Sequence, residues 1–376
     1  MIMENQGLNN DVSVGERKFH VQTHFSGDKK QIISQVFHEG LLIDAREVPA
    51  CDENSDSQAS QQLKEVHQEL ITEIEILYYI YEKVKAVRHA PSCNKLGLVF
   101  LQKKLTREAL EQFRLALELD PTFSEVWGNL GRALIMEGSY AEAVEILCKG
   151  VAQAPDYADI RNFLGIAYLY NEDKESAVEQ FERAIELNAN YIGAHFFLGI
   201  ALLATCLNEG ESEESTSRDA RDRALSAFEI ASRRLVNRQI VVFDEVMQLI
   251  KNEEYAEAVA KVLLCQPGEM LSQFTSMENE FYLKFMYGGK GKDDQYISTY
   301  VENLQQVLQQ HPDYADIHNN LGVVNLIQCR NLFLQALEEF RTALKINPDF
   351  KKAEKNLKLA ENDGKGFLIL LRAILK

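Results

Sequence analysis

The sequence predicts a mainly α-helical fold, a solenoid of stacked helix hairpins that follows a small antiparallel β meander and a long helix. One observation is a near-repeat: PDYADIRNFLG at 155–165 returns as PDYADIHNNLG at 312–322, with nine of eleven positions identical. A second is that glycines recur every 34 residues, at Gly97, Gly131, Gly165 and Gly199. Self-similarity at a fixed period of this length is typical of stacked structural units.

Composition and charge narrow the class of protein. Of 376 residues, 46% are hydrophobic and 26% charged, which is typical of a folded, soluble chain. A net charge of −17 would repel phosphate backbones, so we expect no nucleic-acid partner. There is no secretory signal and no window near the ~20 apolar residues that a membrane span needs. The six cysteines include no close pair, and we expect reduced thiols in a cytoplasmic protein.

Residues 1–50 are predicted to form the β meander. RKFHVQTHF, residues 17–25, alternates apolar and polar side chains, SGDK supplies a turn, and residues 31–48 contain two more strand-like runs around Glu39-Gly40. A sheet this small is only marginally stable alone. We therefore expect it to pack on the solenoid or on a partner.

Residues 51–89 are predicted to be a linker and a long amphipathic helix. Seven apolar residues form one stripe along helix 58–88: Leu63, Val66, Leu70, Ile74, Leu77, Ile80 and Val84. Two interpretations stay open. The helix covers the first repeat, or its seven-residue pattern forms a self-association seam between two copies of the chain.

The repeat itself reads as a helix hairpin. An alanine stands twelve residues after each of the first three glycines, and a large apolar residue follows four positions later, at Phe113, Leu147 and Phe181. Small residues are required where two helices cross closely, and large ones fill the space beside them. Pro121 and Pro155 then mark the end of the second helix.

In this register the sequence resembles the tetratricopeptide repeat family. The best unit, SEVWGNLGRALIMEGSYAEAVEILCKGVAQAP at 124–155, has Trp127, Gly131, Tyr140 and Ala143 at the places that family prefers. The resemblance implies a right-handed α-solenoid over 90–350. About seven units are predicted, at 90–123, 124–157, 158–191, 192–238, 239–272, 276–314 and 315–350, the fifth and sixth being degenerate.

Two segments depart from the repeat. The insertion 208–223 is rich in Ser and Glu, and we expect a mobile loop there. Residues 351–376 should form a polar capping helix and an apolar tail, 367–375, that folds back on the last helices.

No catalytic residue, metal ligand or cofactor is predicted. GGKGKDD at 288–294 lacks the spacing of a phosphate-binding loop and is interpreted as a connector. His20 and His24 would stand about 13 Å apart on a strand, too far to share one ion. His38 is likewise expected to be a solvated histidine.

The resemblance implies a concave groove lined by the fifth, ninth and twelfth residues of each unit. The candidate peptide- or protein-binding residues are Asn94, Leu98, Asn129, Arg132, Asn162, Ile166, Phe196, Ile200, Asn319 and Val323. In the alternative interpretation, the ninth and twelfth positions mostly pack against neighbouring helices. Relatives that clamp the acidic tails of chaperones use five polar residues. Only one of the five matching positions fits here, so that partner is disfavoured.

These observations predict a non-enzymatic scaffold or adaptor that binds a peptide or protein segment in the groove. The alternative is a regulatory or targeting subunit of an enzyme complex whose catalytic chain is separate.

Overall fold

The computed structural model describes residues 7–27, 30–50, 56–207, 214–232, 238–263, 277–289, 293–310, 312 and 315–361. The chain divides into two compact units, Met1–Glu280 and Phe281–Lys376. Within the described segments, no helix is both long enough and apolar enough to cross a membrane. The apolar tail 367–375 and residues 208–213 of the insertion lie outside the described residues.

The N-terminal sheet has four antiparallel strands, β1 Gly7–Val14, β2 Arg17–Ser26, β3 Gln31–His38 and β4 Leu41–Pro49, in that order. This confirms the predicted meander. It also adds β1, whose sequence GLNNDVSV contains too few apolar residues to be recognised as a strand. Alternate side chains of β2 and β3, among them Val21, Ile32 and Val36, are buried on one face of the sheet.

Helix α1, Asp56–Val87, packs against that buried face. Leu63 and Val66 form a cluster with Ile32 of β3. Every residue of the predicted stripe is at most 8% exposed. These side chains are already covered within the chain, which favours the covering helix over the self-association seam.

Several polar contacts join the sheet to the helices. The Nδ1 atom of His67, on α1, accepts a hydrogen bond from the Thr23 hydroxyl at 2.8 Å. Its Nε2 atom lies 3.0 Å from Asn10 Oδ1. Arg17 of β2 forms an ion pair with the buried Glu108, with 2.6 Å between Nε and Oε1. Such satisfied contacts allow polar groups to be buried at the junction.

Four helix hairpins follow α1. Their helices are α2 Ala90–Gln102 and α3 Thr106–Leu119, α4 Ser124–Glu137 and α5 Tyr140–Gln153, α6 Ala158–Tyr170 and α7 Lys174–Leu187, and α8 Ile192–Cys206 and α9 Glu214–Ser232. The turns inside the first three hairpins each contain one residue with positive φ, namely Lys104, Gly138 and Glu172, spaced 34 apart. The 34-residue period therefore extends to the backbone of the turn.

The glycine period has a packing cause. A Cβ atom added to Gly165 would lie 2.6 Å from Cε1 of Phe181, and one added to Gly97 would lie 2.5 Å from the same atom of Phe113. Gly131 faces Leu147 and Gly199 faces Phe228 in the same way. The small residue of the first helix and the large residue of the second thus pack as the sequence predicts.

The structure differs from the expected mobile loop over 208–223, because α9 begins at Glu214. Ala220 and Ala224 continue the buried stripe of this helix backwards into the insertion. Arg223 pairs with Glu182 of α7 and with Asp219 one turn earlier. A helical stripe and ion pairs therefore order a segment that composition alone made look like a loop.

The fifth predicted unit contains a short hairpin, α10 Arg238–Lys251 and α11 Tyr255–Leu263. The C-terminal part of the chain contains α12 Met277–Met286, α13 Asp294–Gln310, α14 Ala315–Ile346 and α15, residues 351–361. In the second compact unit, Phe281 stacks on Tyr300 with 4.0 Å between ring centroids. Ile297, Val324 and Ile327 complete that core.

The predicted seventh hairpin, 315–350, is one continuous helix, α14, followed by a turn. A Cβ atom added to Gly322 would meet nothing within 4 Å, so this glycine lacks the large partner found in the first four units. No Gly or Pro occurs between Gly322 and Pro348 to end the first helix. The helix therefore runs through the position where the earlier hairpins turn.

Candidate functional site

The predicted site residues belong to two separate groups. Eight lie on α2, α4, α6 and α8, the first helices of the four hairpins, whereas Asn319 and Val323 lie on α14 in the second compact unit. Asn319 is exposed and Val323 is half-buried. We call the surface formed by α2, α4, α6 and α8 the inner face.

The apolar candidates on the inner face are packed inside the chain. Leu98, Ile166, Phe196 and Ile200 are at most 8% exposed. Phe196 makes edge contacts with Phe197 and with Phe228 of α9, with 5.3 and 6.1 Å between ring centroids. Their burial favours the interpretation in which these positions hold neighbouring helices together.

The first two candidate asparagines are hydrogen-bonded to each other. Asn129 Nδ2 donates to Asn94 Oδ1 at 2.9 Å, and Asn94 Nδ2 donates to Glu125 Oε1 at 3.1 Å. Asn129 also donates to Glu125, at 3.3 Å. These amides link α2 to α4, and much of their hydrogen-bonding capacity is used within the chain.

Asn162 and Arg132 differ from this pair because each has a buried atom without a partner. Asn162, on α6, is 3% exposed and its Oδ1 atom accepts no hydrogen bond. Arg132, on α4, is 6% exposed and its Nε atom donates none. A buried polar atom without a partner costs about 1–3 kcal/mol, and a charged one costs more.

Tyr191, the residue before α8, lies beside both. Its hydroxyl donates to Asp159 Oδ1 at 2.6 Å, and the side chain of Asn162 is near enough to influence the pKa of this hydroxyl. The cluster of Arg132, Asp159, Asn162 and Tyr191 therefore presents one unused acceptor and one unused cationic donor.

Burial governs the electrostatics of this cluster. It lowers the pKa of the Arg132 guanidinium from its ordinary value to about 10, and the neighbouring Tyr191 oxygen offsets only part of that effect. Burial also raises the pKa of Tyr191, and the Asp159 carboxylate adds to the increase. Both groups keep their ordinary protonation at neutral pH, so the cluster holds a positive charge that is poorly compensated.

Sequence reasoning included Arg132 and Asn162 but missed Tyr191. A signal for it was available, since aromatic residues immediately precede α4, α6 and α8 at the same 34-residue interval, as Phe123, Tyr157 and Tyr191. Asp159 is likewise not among the predicted site residues. Its bond to Tyr191 depends on the packing of α6 against α8, which a linear pattern does not contain.

The three histidines discussed above lie on the N-terminal sheet. His20 Nδ1 lies 2.8 Å from Asp11 Oδ1, and His38 Nδ1 lies 2.9 Å from the Lys18 carbonyl oxygen. His38 stacks on the buried Phe19, whereas His20 contacts Phe37 on the opposite face. In the described part of the chain, no group of three or more His, Cys, Asp or Glu side chains is arranged to hold a metal ion. Of the connector 288–294, residues 290–292 lie outside that part.

Two family profiles described as Tetratricopeptide repeat match residues 100–167 and 158–191. No curated protein matches the sequence.

Among solved structures, pilF of Pseudomonas aeruginosa is 19% identical, with a TM-score of 0.38, over 57% of this chain and 91% of its own. MamA of Desulfovibrio magneticus RS-1, residues 41 to the end, is 19% identical, with a TM-score of 0.37, over 48% and 99%. YrrB, described as a tetratricopeptide protein with an unusual peptide-binding site, is 21% identical, with a TM-score of 0.35, over 51% and 95%. The assignment therefore depends on the family profiles and on the 34-residue packing. Residues 100–191 of this chain therefore match the tetratricopeptide repeat family.

Proposed function

We propose that this chain is a non-enzymatic interaction scaffold whose inner face binds a peptide segment of a partner protein. The observation that carries the proposal is the unpaired Oδ1 atom of Asn162, buried in the middle of the most regular repeats. A backbone N–H of a bound peptide would satisfy this acceptor. Tetratricopeptide repeats are generally interaction modules, so the family assignment supports the same role.

The proposed site is the Asn162 end of the inner face, on α4, α6 and the start of α8. Asn94 and Asn129 contribute less because their amides already bond each other and Glu125. Phe196 and Ile200 support the site from inside the fold, since both are at most 2% exposed. A peptide would therefore be recognised mainly by polar groups, with apolar contacts around them.

The test replaces Asn162 with Ala in the full chain and measures binding of peptides selected from a random display library. Losing the hydrogen bond to the peptide should weaken binding at least tenfold, which corresponds to about 1.4 kcal/mol. Asn190→Ala, in the exposed turn before α8, is the matched control and should leave the affinity unchanged. Circular dichroism should be the same for all three proteins.

Two results would contradict the proposal. One is that no peptide is selected at all. The other is an unchanged affinity in Asn162→Ala, which would place binding elsewhere, for example on the N-terminal sheet.

Affinity purification of the full chain from cytoplasmic extract addresses the role in the cell. We propose a cytoplasmic location and an adaptor role, which predict several partners that share a short motif. A single enzyme recovered in stoichiometric amount would instead favour a regulatory or targeting subunit.

A further inference from the structure

We infer that the inner face selects peptides that contain an acidic residue, whose carboxylate binds Arg132 while a nearby backbone N–H binds Asn162 Oδ1. The inference rests on the proposed function and adds the chemistry of the partner. Its basis is the pairing, on adjacent helices, of one buried cationic donor and one buried acceptor that both lack partners.

Arg132 carries a positive charge that is buried without a counter-ion. The residue is 6% exposed, its buried Nε atom donates no hydrogen bond, and no ion pair joins it to a carboxylate of the described residues. Buried charges in proteins are almost always paired, because desolvation without a counter-ion is costly.

The described part of the chain does not supply a counter-ion for Arg132. The carboxylate of the cluster, Asp159, is exposed and accepts the Tyr191 hydroxyl at 2.6 Å. The chain has 57 acidic residues, yet no described one forms an ion pair with Arg132, whose Nε atom has no partner. The missing negative charge is therefore best supplied by the ligand.

The chemistry of Arg132 and Asn162 indicates which type of anion would bind. A guanidinium offers parallel N–H groups that match a carboxylate in a two-bond arrangement. Asn162 Oδ1, by contrast, accepts hydrogen bonds and would repel a second anionic oxygen. An acidic residue within a peptide supplies both the carboxylate and an N–H donor, whereas an inorganic anion supplies only acceptors.

The test uses two phage-displayed random peptide libraries that differ at one fixed central position, Glu in one and Gln in the other. The wild-type chain should retain the Glu library at least tenfold better. Arg132→Gln should retain the two libraries equally. Arg183→Gln, which removes the same charge from an exposed arginine of α7 paired with Glu186, should behave as the wild type.

The outcomes separate the two proposals. Equal retention of both libraries by the wild type, above background, would overturn the acidic preference while leaving peptide binding intact. A Glu preference that persists in Arg132→Gln would also overturn the inference, because the carboxylate would then bind elsewhere. Retention of neither library would refute the proposed function and this inference together. If Arg132→Gln does not fold, Arg132→Lys keeps the charge but loses the planar fork, and should reduce the Glu preference.

Discussion

Replacing Gly165 with Ala should destabilise the third hairpin, although alanine is the better helix former. The added Cβ would lie 2.6, 2.8 and 2.9 Å from three ring atoms of Phe181. That ring is fully buried and stacks on Phe197, with 6.0 Å between centroids, so it cannot move aside without disturbing α8. Overpacking of this kind costs about 1–3 kcal/mol.

A matched control in the same chain separates the packing cost of the added Cβ atom from the gain in helix propensity. Gly322→Ala, in the middle of α14, adds a Cβ to open space and should gain the helix propensity of alanine, about 1 kcal/mol. Gly165→Ala gains the same propensity and loses the packing. We therefore expect Gly165→Ala to cost up to about 2 kcal/mol net, and Gly322→Ala to be neutral or stabilising.

The assay is urea unfolding combined with amide hydrogen exchange, because local stability in a repeat array need not equal global stability. Protection should fall first in α6 and α7 of the Gly165→Ala chain. Phe181→Leu in that background should restore part of the loss by shortening the clashing side chain. Equal effects of the two glycine substitutions, or an additive Phe181→Leu cost, would refute the packing explanation of the repeat.

Three further outcomes follow from the described contacts. Arg132→Met should raise the unfolding midpoint, because burial lowers the pKa of the Arg132 guanidinium to about 10, which corresponds to about 3 kcal/mol of unfavourable burial; a lower midpoint would mean that the guanidinium is compensated. Burial lowers the pKa of His67 below 6.5, so the folded chain binds its proton less readily than the unfolded chain does. The contribution of neutral His67 to stability is complete above pH 6.5 and should decline as pH falls from 6.5 towards the lower folded-state pKa. Unfolding midpoints measured across this window should therefore fall with pH in the wild type and fall less in His67→Gln. An equal pH dependence in the two proteins would contradict the assignment. Finally, because the net charge of −17 repels acidic peptides, stopped-flow association with a selected Glu-containing peptide should become faster as salt screens the repulsion, and slower association would contradict this.

The repeat register was readable from the sequence because it records a local constraint. Gly165 and Phe181 are sixteen residues apart in one hairpin, and their packing needs only two adjacent helices. The same holds for the sheet, in which β2 and β3 alternate buried and exposed residues. Polar β1 gave no such signal, since its pairing with β2 supplies most of what orders it.

The candidate site was only half predictable. Position within the repeat identified Asn162 and Arg132, but it assigned the same role to Ile166 and Phe196, which the fold buries completely or almost so. Whether an inward position contacts a ligand or the next helix depends on how closely the helices approach. That spacing is set by side chains from several hairpins and is absent from any single unit.

The sequence by itself therefore determined the helix hairpins and their period, because these depend on contacts between residues close in the chain. Only the tertiary structure decided that α9 extends into the Ser- and Glu-rich insertion and that α14 passes through its expected turn. It also decided that Arg132 is buried without a counter-ion beside Tyr191. These outcomes depend on burial and on partners from other elements, and desolvation, which gives a buried charge its cost, arises only once those elements have packed.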